Sequence, residues 1–152
     1  MKIKQLIFIS IFISLIIFLH SSEDNYVFGE WFTEDSLSKV HIYRDNESLT
    51  GKIVWLKNPV YPETDKEAGK CKYDRNNPDR EKQKRPLIGL KIVWGFKFDG
   101  KNWDEGKIYD PESGKTYNCS IKKLDNNRLK IRGSLDKWGL LGRTTIWTKA
   151  NE

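Results

Sequence analysis

Residues 85–117 read RPLIGLKIVWGFKFDGKNWDEGKIYDPESGKTY. Three apolar/polar alternating runs are separated here by two turn signals. Asp99-Gly100 sits between Phe98 and Trp103, and Asp-Gly between alternating runs is a strong hairpin signal when both residues accept positive φ. Asp110-Pro111-Glu112-Ser113-Gly114 is the second turn: proline presets φ, and glycine can take the left-handed conformation. The alternation places strands at residues 90–98, 103–109 and 116–124. An aspartate before proline caps its own turn, which is the role expected of Asp110.

Working outward, the same rhythm continues on both sides. Strands are expected at 29–33, 40–43 and 49–56 before this stretch, and at 128–133 and 143–148 after it. That makes about eight short strands joined mostly by tight turns. Closure removes exposed sheet edges, so the expected fold is all-β: a single small antiparallel up-and-down barrel. Residues 57–85 break the rhythm. They are dense in charge and hold Pro59, Pro62 and Pro78. A loop this long in a small domain is expected to be functional or partly ordered. Asn77 as N-cap, Pro78 at the first position and Asp79 and Glu81 in the first turn predict one short helix over 78–84.

The chain has 152 residues and a net charge of +6. Residues 1–22 have the order of a secretory signal peptide: Lys2 and Lys4, a 14-residue apolar run at 6–19, then Ser21 and Ser22. That run is shorter than the roughly 20 residues of a membrane-spanning helix. Cleavage would leave residues 23–152 as one domain, exported to the periplasm or secreted. No cysteine near the cut offers a lipid attachment point, so membrane contact is expected only through an uncleaved leader. Without the leader the charge is 25 basic minus 21 acidic residues, or +4. That mild excess is not the clustered footprint of a nucleic-acid binder, and no nucleic-acid partner is expected. Cys71 and Cys119 could close one disulfide in an exported chain, stabilising by about 4 kcal/mol if unstrained; two free thiols are the alternative.

Few residues carry catalytic chemistry. His41 is the one histidine beyond the leader, and it falls mid-strand between Val40 and Ile42. Adjacent strand residues point to opposite faces, so Asp104 and Glu105 converge only if a bulge intervenes. Asp74-x-Asn76-Asn77-x-Asp79 has oxygens at calcium-like spacing but lacks the loop glycine and the distal glutamate. Helix capping by Asn77 explains it more simply, and no metal is expected. No cofactor and no enzymatic activity are expected.

The pieces Gly29-x-Trp31, Gly51-Lys52-Ile53-Val54-Trp55-Leu56, Asp74-x-Asn76-Asn77-Pro78-Asp79, Arg85-Pro86-Leu87-Ile88-Gly89-Leu90, Trp103-x-x-Gly106-Lys107-Ile108-Tyr109-Asp110-Pro111, Ile131-Arg132-Gly133 and Gly142-Arg143-Thr144-x-x-Trp147 together resemble the domain-of-unknown-function 2147 family. These are small exported bacterial proteins, and the likeness covers nearly all of the chain beyond the leader. It implies a lipocalin-like, or calycin, barrel and no assigned activity. One departure is Ser134, where family members often carry an aromatic residue; Trp138 stands in the loop that follows.

Such a barrel makes a binding protein for a small apolar or amphiphilic ligand the leading reading. The candidate ligand-binding residues are Trp55, Trp94, Trp103, Arg143 and Trp147, with the tryptophans as cavity lining or core filling. Arg143, which follows Gly142 at a strand start, is open to two readings, an inward cation for a ligand carboxylate or an outward surface residue, whereas Arg132, between Ile131 and Gly133, fits the solvent face. The alternative is a structural or interaction module with an envelope protein as partner, working through the charged loop at 57–85.

Overall fold

The computed structural model describes residues 24–46, 48–136 and 141–150. The expected leader at 1–22 and Trp138 lie outside the described residues. Strands β1 (Gly29–Phe32), β2 (Ser38–Asp45), β3 (Ser48–Leu56), β4 (Lys91–Phe98), β5 (Trp103–Asp110), β6 (Lys115–Lys123), β7 (Arg128–Ser134) and β8 (Gly142–Lys149) follow in chain order. Each pairs antiparallel with the next, and β1 closes on β8 through Trp31 opposite Lys149 and Phe32 opposite Thr148. The small antiparallel up-and-down barrel expected from the alternation is the fold observed.

Alternation sets which side chains face inward. In β2, Val40 and Ile42 are buried while His41 and Tyr43 stack on each other, 5.5 Å apart, on the outer face. In β7, Leu129 and Ile131 are buried between partly or fully exposed Arg128, Lys130 and Arg132. Arg132 bonds the Thr144 hydroxyl on neighbouring β8. Gly106 faces inward on β5, where a Cβ would lie 2.3 Å from the Phe96 ring, so the bare glycine is what lets that ring lie over the neighbouring strand. A register shift lies between Trp103 and Gly106, and Glu105 takes φ +59°. A bulge therefore does interrupt the Asp104-Glu105 pair. Lys97 holds Glu105 at 2.6 Å, and both carboxylates face solvent.

The two ends of the barrel differ. Residues 24–28 close the end that carries the β2–β3, β4–β5 and β6–β7 turns. Trp31 Nε1 donates to Val27 O at 2.8 Å, Trp103 Nε1 donates to Asp24 O at 3.2 Å, and the Phe28 ring meets Trp103 edge-on at 6.1 Å. Val27 of this plug and, above it, Trp31, Ile42, Leu49, Ile121 and Leu129 have almost no solvent contact. At the same end, Asp99-Gly100 forms a longer turn than the two-residue hairpin its sequence suggests. Phe98 pairs with Trp103, so four residues make the connection. Only Gly100 takes positive φ, and the Asp99 carboxylate instead accepts the amides of Lys101 and Asn102.

The opposite end carries the β1–β2, β5–β6 and β7–β8 loops and the long β3–β4 connection. That connection is ordered by its own bonds. Val60 bridges Cys71 and Tyr73 bridges Pro86, and the Tyr61 hydroxyl bonds both backbone groups of Tyr73. The expected helix is a single 3-10 turn, Arg80–Lys82, capped by Asp79 rather than Asn77. Asn77 is buried; its Oδ1 still accepts the Asp79 amide at 2.9 Å, as the capping expectation has it, while its Nδ2 is used elsewhere.

Candidate functional site

The barrel is packed solid at the plugged end and hollow at the other. A cavity of about 1070 Å³ runs from the mid-barrel to the mouth. Its inner wall is apolar, built from Ile53, Ile92, Ile108, Ile131 and Trp147, with Tyr117 and Thr145 adding hydroxyls. Gly133 leaves room there, since a Cβ built on it would meet Tyr117 and Ile108 at 3.6 and 3.7 Å without a clash. Leu37, Leu135 and Leu141 rim the mouth and are exposed. An apolar chamber of this size with a few convergent polar groups is the common form of a small-molecule site.

One structural cluster fixes the wall on the side of the long loop. Asp74 is fully buried, and its carboxylate accepts three donors: the Tyr109 hydroxyl at 2.5 Å, Asn77 Nδ2 at 2.8 Å and an Arg85 guanidinium nitrogen at 2.8 Å. The Tyr109 phenol is pushed up to about 12, by burial first and then by its bond to Asp74 and that carboxylate's charge. Next to it, Asn76 Nδ2 donates to the carbonyls of Pro111 and Glu112. These bonds pin the long loop to β5 and to the β5–β6 turn, whose Asp110 carboxylate caps its own turn by accepting from Glu112 N and Ser113 Oγ. The calcium-like spacing of Asp74 to Asp79 is thus a docking motif. Among the described residues no three His, Cys, Asp or Glu side chains converge as a metal site.

The five residues singled out from sequence separate widely. Trp147 is buried in the cavity wall. Arg143 stands at the mouth rather than in the chamber; its side chain is 82% exposed and pairs with Glu34 at 3.0 Å. Of the two readings open to Arg143, the structure gives a rim position beside Thr145 and Trp147, where no dry environment strengthens a carboxylate contact. Trp55 lies on the outer face, edge-on to Phe32 at 5.8 Å and partly exposed. Trp94 is opposite Lys107 in the β4–β5 register and packs on the core without lining the cavity. Trp103 belongs to the closed end. The disulfide is corrected as well: Cys71 and Cys119 are free thiols. Cys71 is exposed on the long loop, whereas Cys119 faces the interior of β6, where burial, aided by the Asp104 charge, pushes its thiol up to about 12.

Sequence reasoning missed the isoleucines that build the chamber, the leucines at its rim and the Asp74–Tyr109 bond. The isoleucines were visible as inward positions. What alternation did not give was height along the barrel, which separates a packing residue from a lining one.

Residues 29–149 match the model of a family described as an uncharacterized protein conserved in bacteria, DUF2147. No curated protein matches the chain. Among solved structures it is similar to protein HP1028 from the human pathogen Helicobacter pylori, described as belonging to the lipocalin family. The two share 24% identity over 82% of each chain, with a TM-score of 0.68. At that identity the likeness speaks for the fold, and it agrees with the closed eight-stranded barrel. The family match runs through every strand and through the docking motif of the long loop, and the chain belongs to the DUF2147 family.

Proposed function

We propose that this protein is a non-enzymatic carrier that takes a small apolar or amphiphilic molecule into the hollow half of its barrel, in the periplasm or outside the cell. The observation that carries this reading is the chamber of about 1070 Å³, walled by isoleucines and Trp147 and open at one end. The lipocalin-like barrel supports it, since barrels of this size hold one small ligand when they are not filled by side chains. Hydroxyls of Tyr117 and Thr145 can orient a polar end without an ionic anchor. The carrier role is favoured over catalysis because His41, the histidine among the described residues, faces away from the chamber. Export rests on the leader-like sequence of residues 1–22. The motif of the charged loop is accounted for by its bonds to the barrel, so the loop does not need an envelope protein partner to explain it.

An environment-sensitive apolar fluorophore, titrated into the protein, tests the reading. It should bind with saturable blue-shifted emission. Thr145→Trp, which fills the chamber, should abolish that binding while the thermal transition is kept. Native mass spectrometry of protein recovered from cells should show a bound species that Thr145→Trp lacks. Equal fluorophore binding by both proteins would sink the proposal.

A further inference from the structure

A second concavity of about 780 Å³ opens beside the mouth, on the surface of the long loop. Lys66, Arg80 and Lys84 line it and are exposed. Four other cations of the loop are paired, Lys70 with Glu67, Arg75 with Asp65, Lys82 with Asp79 and Arg85 with Asp74, while Lys57 and Lys72 stand outside the groove. Lys66, Arg80 and Lys84 form no such ion pair among the described residues. The groove is continuous with the chamber, because Asp65, Tyr73, Arg75 and Asn76 line both. Residues 57–85 hold nine basic and six acidic residues, a net of +3 out of the chain's +6.

Around the same mouth stand Leu37, Leu135 and Leu141, on the β1–β2 and β7–β8 loops, with exposures of 44%, 60% and 69%. Several acids near them are already engaged. Glu34 holds Arg143, Asp35 accepts from Thr33 and the Leu37 amide, and Asp65 holds Arg75. Exposed apolar side chains beside unpaired cations, at one end of the molecule, match the chemistry of an acyl–headgroup boundary that carries negative charge.

We propose that the mouth end docks onto an anionic lipid surface, with Leu37, Leu135 and Leu141 entering the headgroup boundary and Lys66, Arg80 and Lys84 meeting the phosphates. The chamber then opens toward the bilayer, so an amphiphile passes between the two without crossing water. The docking surface joins the rim of the chamber to the groove beside it, and it stands whether or not the chamber is occupied.

Co-sedimentation of the full chain with vesicles tests this, using phosphatidylcholine alone and phosphatidylcholine with about 30% phosphatidylglycerol. Binding should require the anionic lipid and should weaken as salt rises. The triple variant Lys66→Gln, Arg80→Gln, Lys84→Gln should lose about 100-fold in affinity, from about fivefold per cation. Leu135→Ser with Leu141→Ser should lose about tenfold or more at every salt concentration. The apolar leader adds the same binding to both vesicle types and to every variant, so the test reads the excess binding on anionic over neutral vesicles. Native near-ultraviolet circular dichroism in both variants shows that the fold is intact, and unchanged fluorophore binding by the cation variant, whose three residues lie outside the chamber, shows that the chamber is too. Thr145→Trp should keep vesicle binding, so loss of the carrier reading leaves this result standing. Equal binding to neutral vesicles, or no effect of either variant, overturns the proposal. So does a photo-crosslinker at position 141 that captures a protein while vesicles are not bound.

Discussion

A carboxylate with no solvent contact is costly unless donors surround it. Asp74 meets that condition with Tyr109, Asn77 and Arg85, the first of them 35 residues away in sequence. Asp74→Ala would leave the buried Tyr109 hydroxyl without its acceptor and take one of two acceptors from the Asn77 amide, and should cost about 3 kcal/mol, read by urea denaturation. The same cluster sets a pH dependence. The folded protein holds the Tyr109 proton more tightly than the unfolded chain, with its pKa raised from the ordinary 10.0 to about 12. Its contribution is therefore complete below about pH 10 and is lost as the pH climbs toward about 12. Tyr109→Phe should flatten the fall in stability across that window, and the steepness of thermal midpoint against pH checks it. A residual slope is expected, because Tyr26 and Cys119 are raised to about 12 too. The sequence displayed Asp74, Asn76 and Asn77 as a cluster of short polar residues but not their use. Spacing pointed to local capping, while the partner that matters lies on β5.

At the scale of elements, the long β3–β4 connection behaves as part of the wall because the β5–β6 turn receives it. Gly114 takes φ +68°, and a Cβ there would fall 2.0 Å from the Asn76 carbonyl oxygen. Gly114→Ala should strain the turn and push the loop away, costing more than about 1 kcal/mol. Amide exchange across residues 57–85 should quicken while the strands stay protected; uniform quickening of the barrel would contradict the idea that this contact is local. The thiols give a second check on the same loop. Cys71 should react at once with a thiol reagent in the native protein, and Cys119 only after denaturant is added. Both strands and turns of this region were legible, since Asp110 to Gly114 and the alternation around it are local signals. The four-residue connection at Asp99 was not. There a side-chain oxygen that accepts two backbone amides replaced the positive φ that an Asp-Gly hairpin demands of its first residue.

Over the whole molecule, the division into a packed half and a hollow half is the property that alternation could not reveal. Period-2 patterning assigns a face to each side chain, and β7 presents Leu129 and Ile131 as equivalent inward residues. Only the plug formed by residues 24–28, which follows directly on the leader-like segment, makes their surroundings differ. Leu129 has no solvent contact and sits among close-packed neighbours, whereas Ile131 borders the chamber. Truncation of a close-packed residue costs its transfer free energy plus the void it leaves. Truncation beside an existing hollow adds volume to space that is already open, so the void term shrinks. Leu129→Ala should therefore cost about 3–5 kcal/mol, and Ile131→Ala about 2 kcal/mol. Urea denaturation of both variants with matched slopes decides it. A saturating chamber ligand should widen the gap between wild type and Ile131→Ala, because the lining isoleucine then has a contact to lose, and should leave the cost of Leu129→Ala unchanged. Equal costs at the two positions, with and without ligand, would mean that the barrel is uniformly packed and that the chamber does not persist in solution.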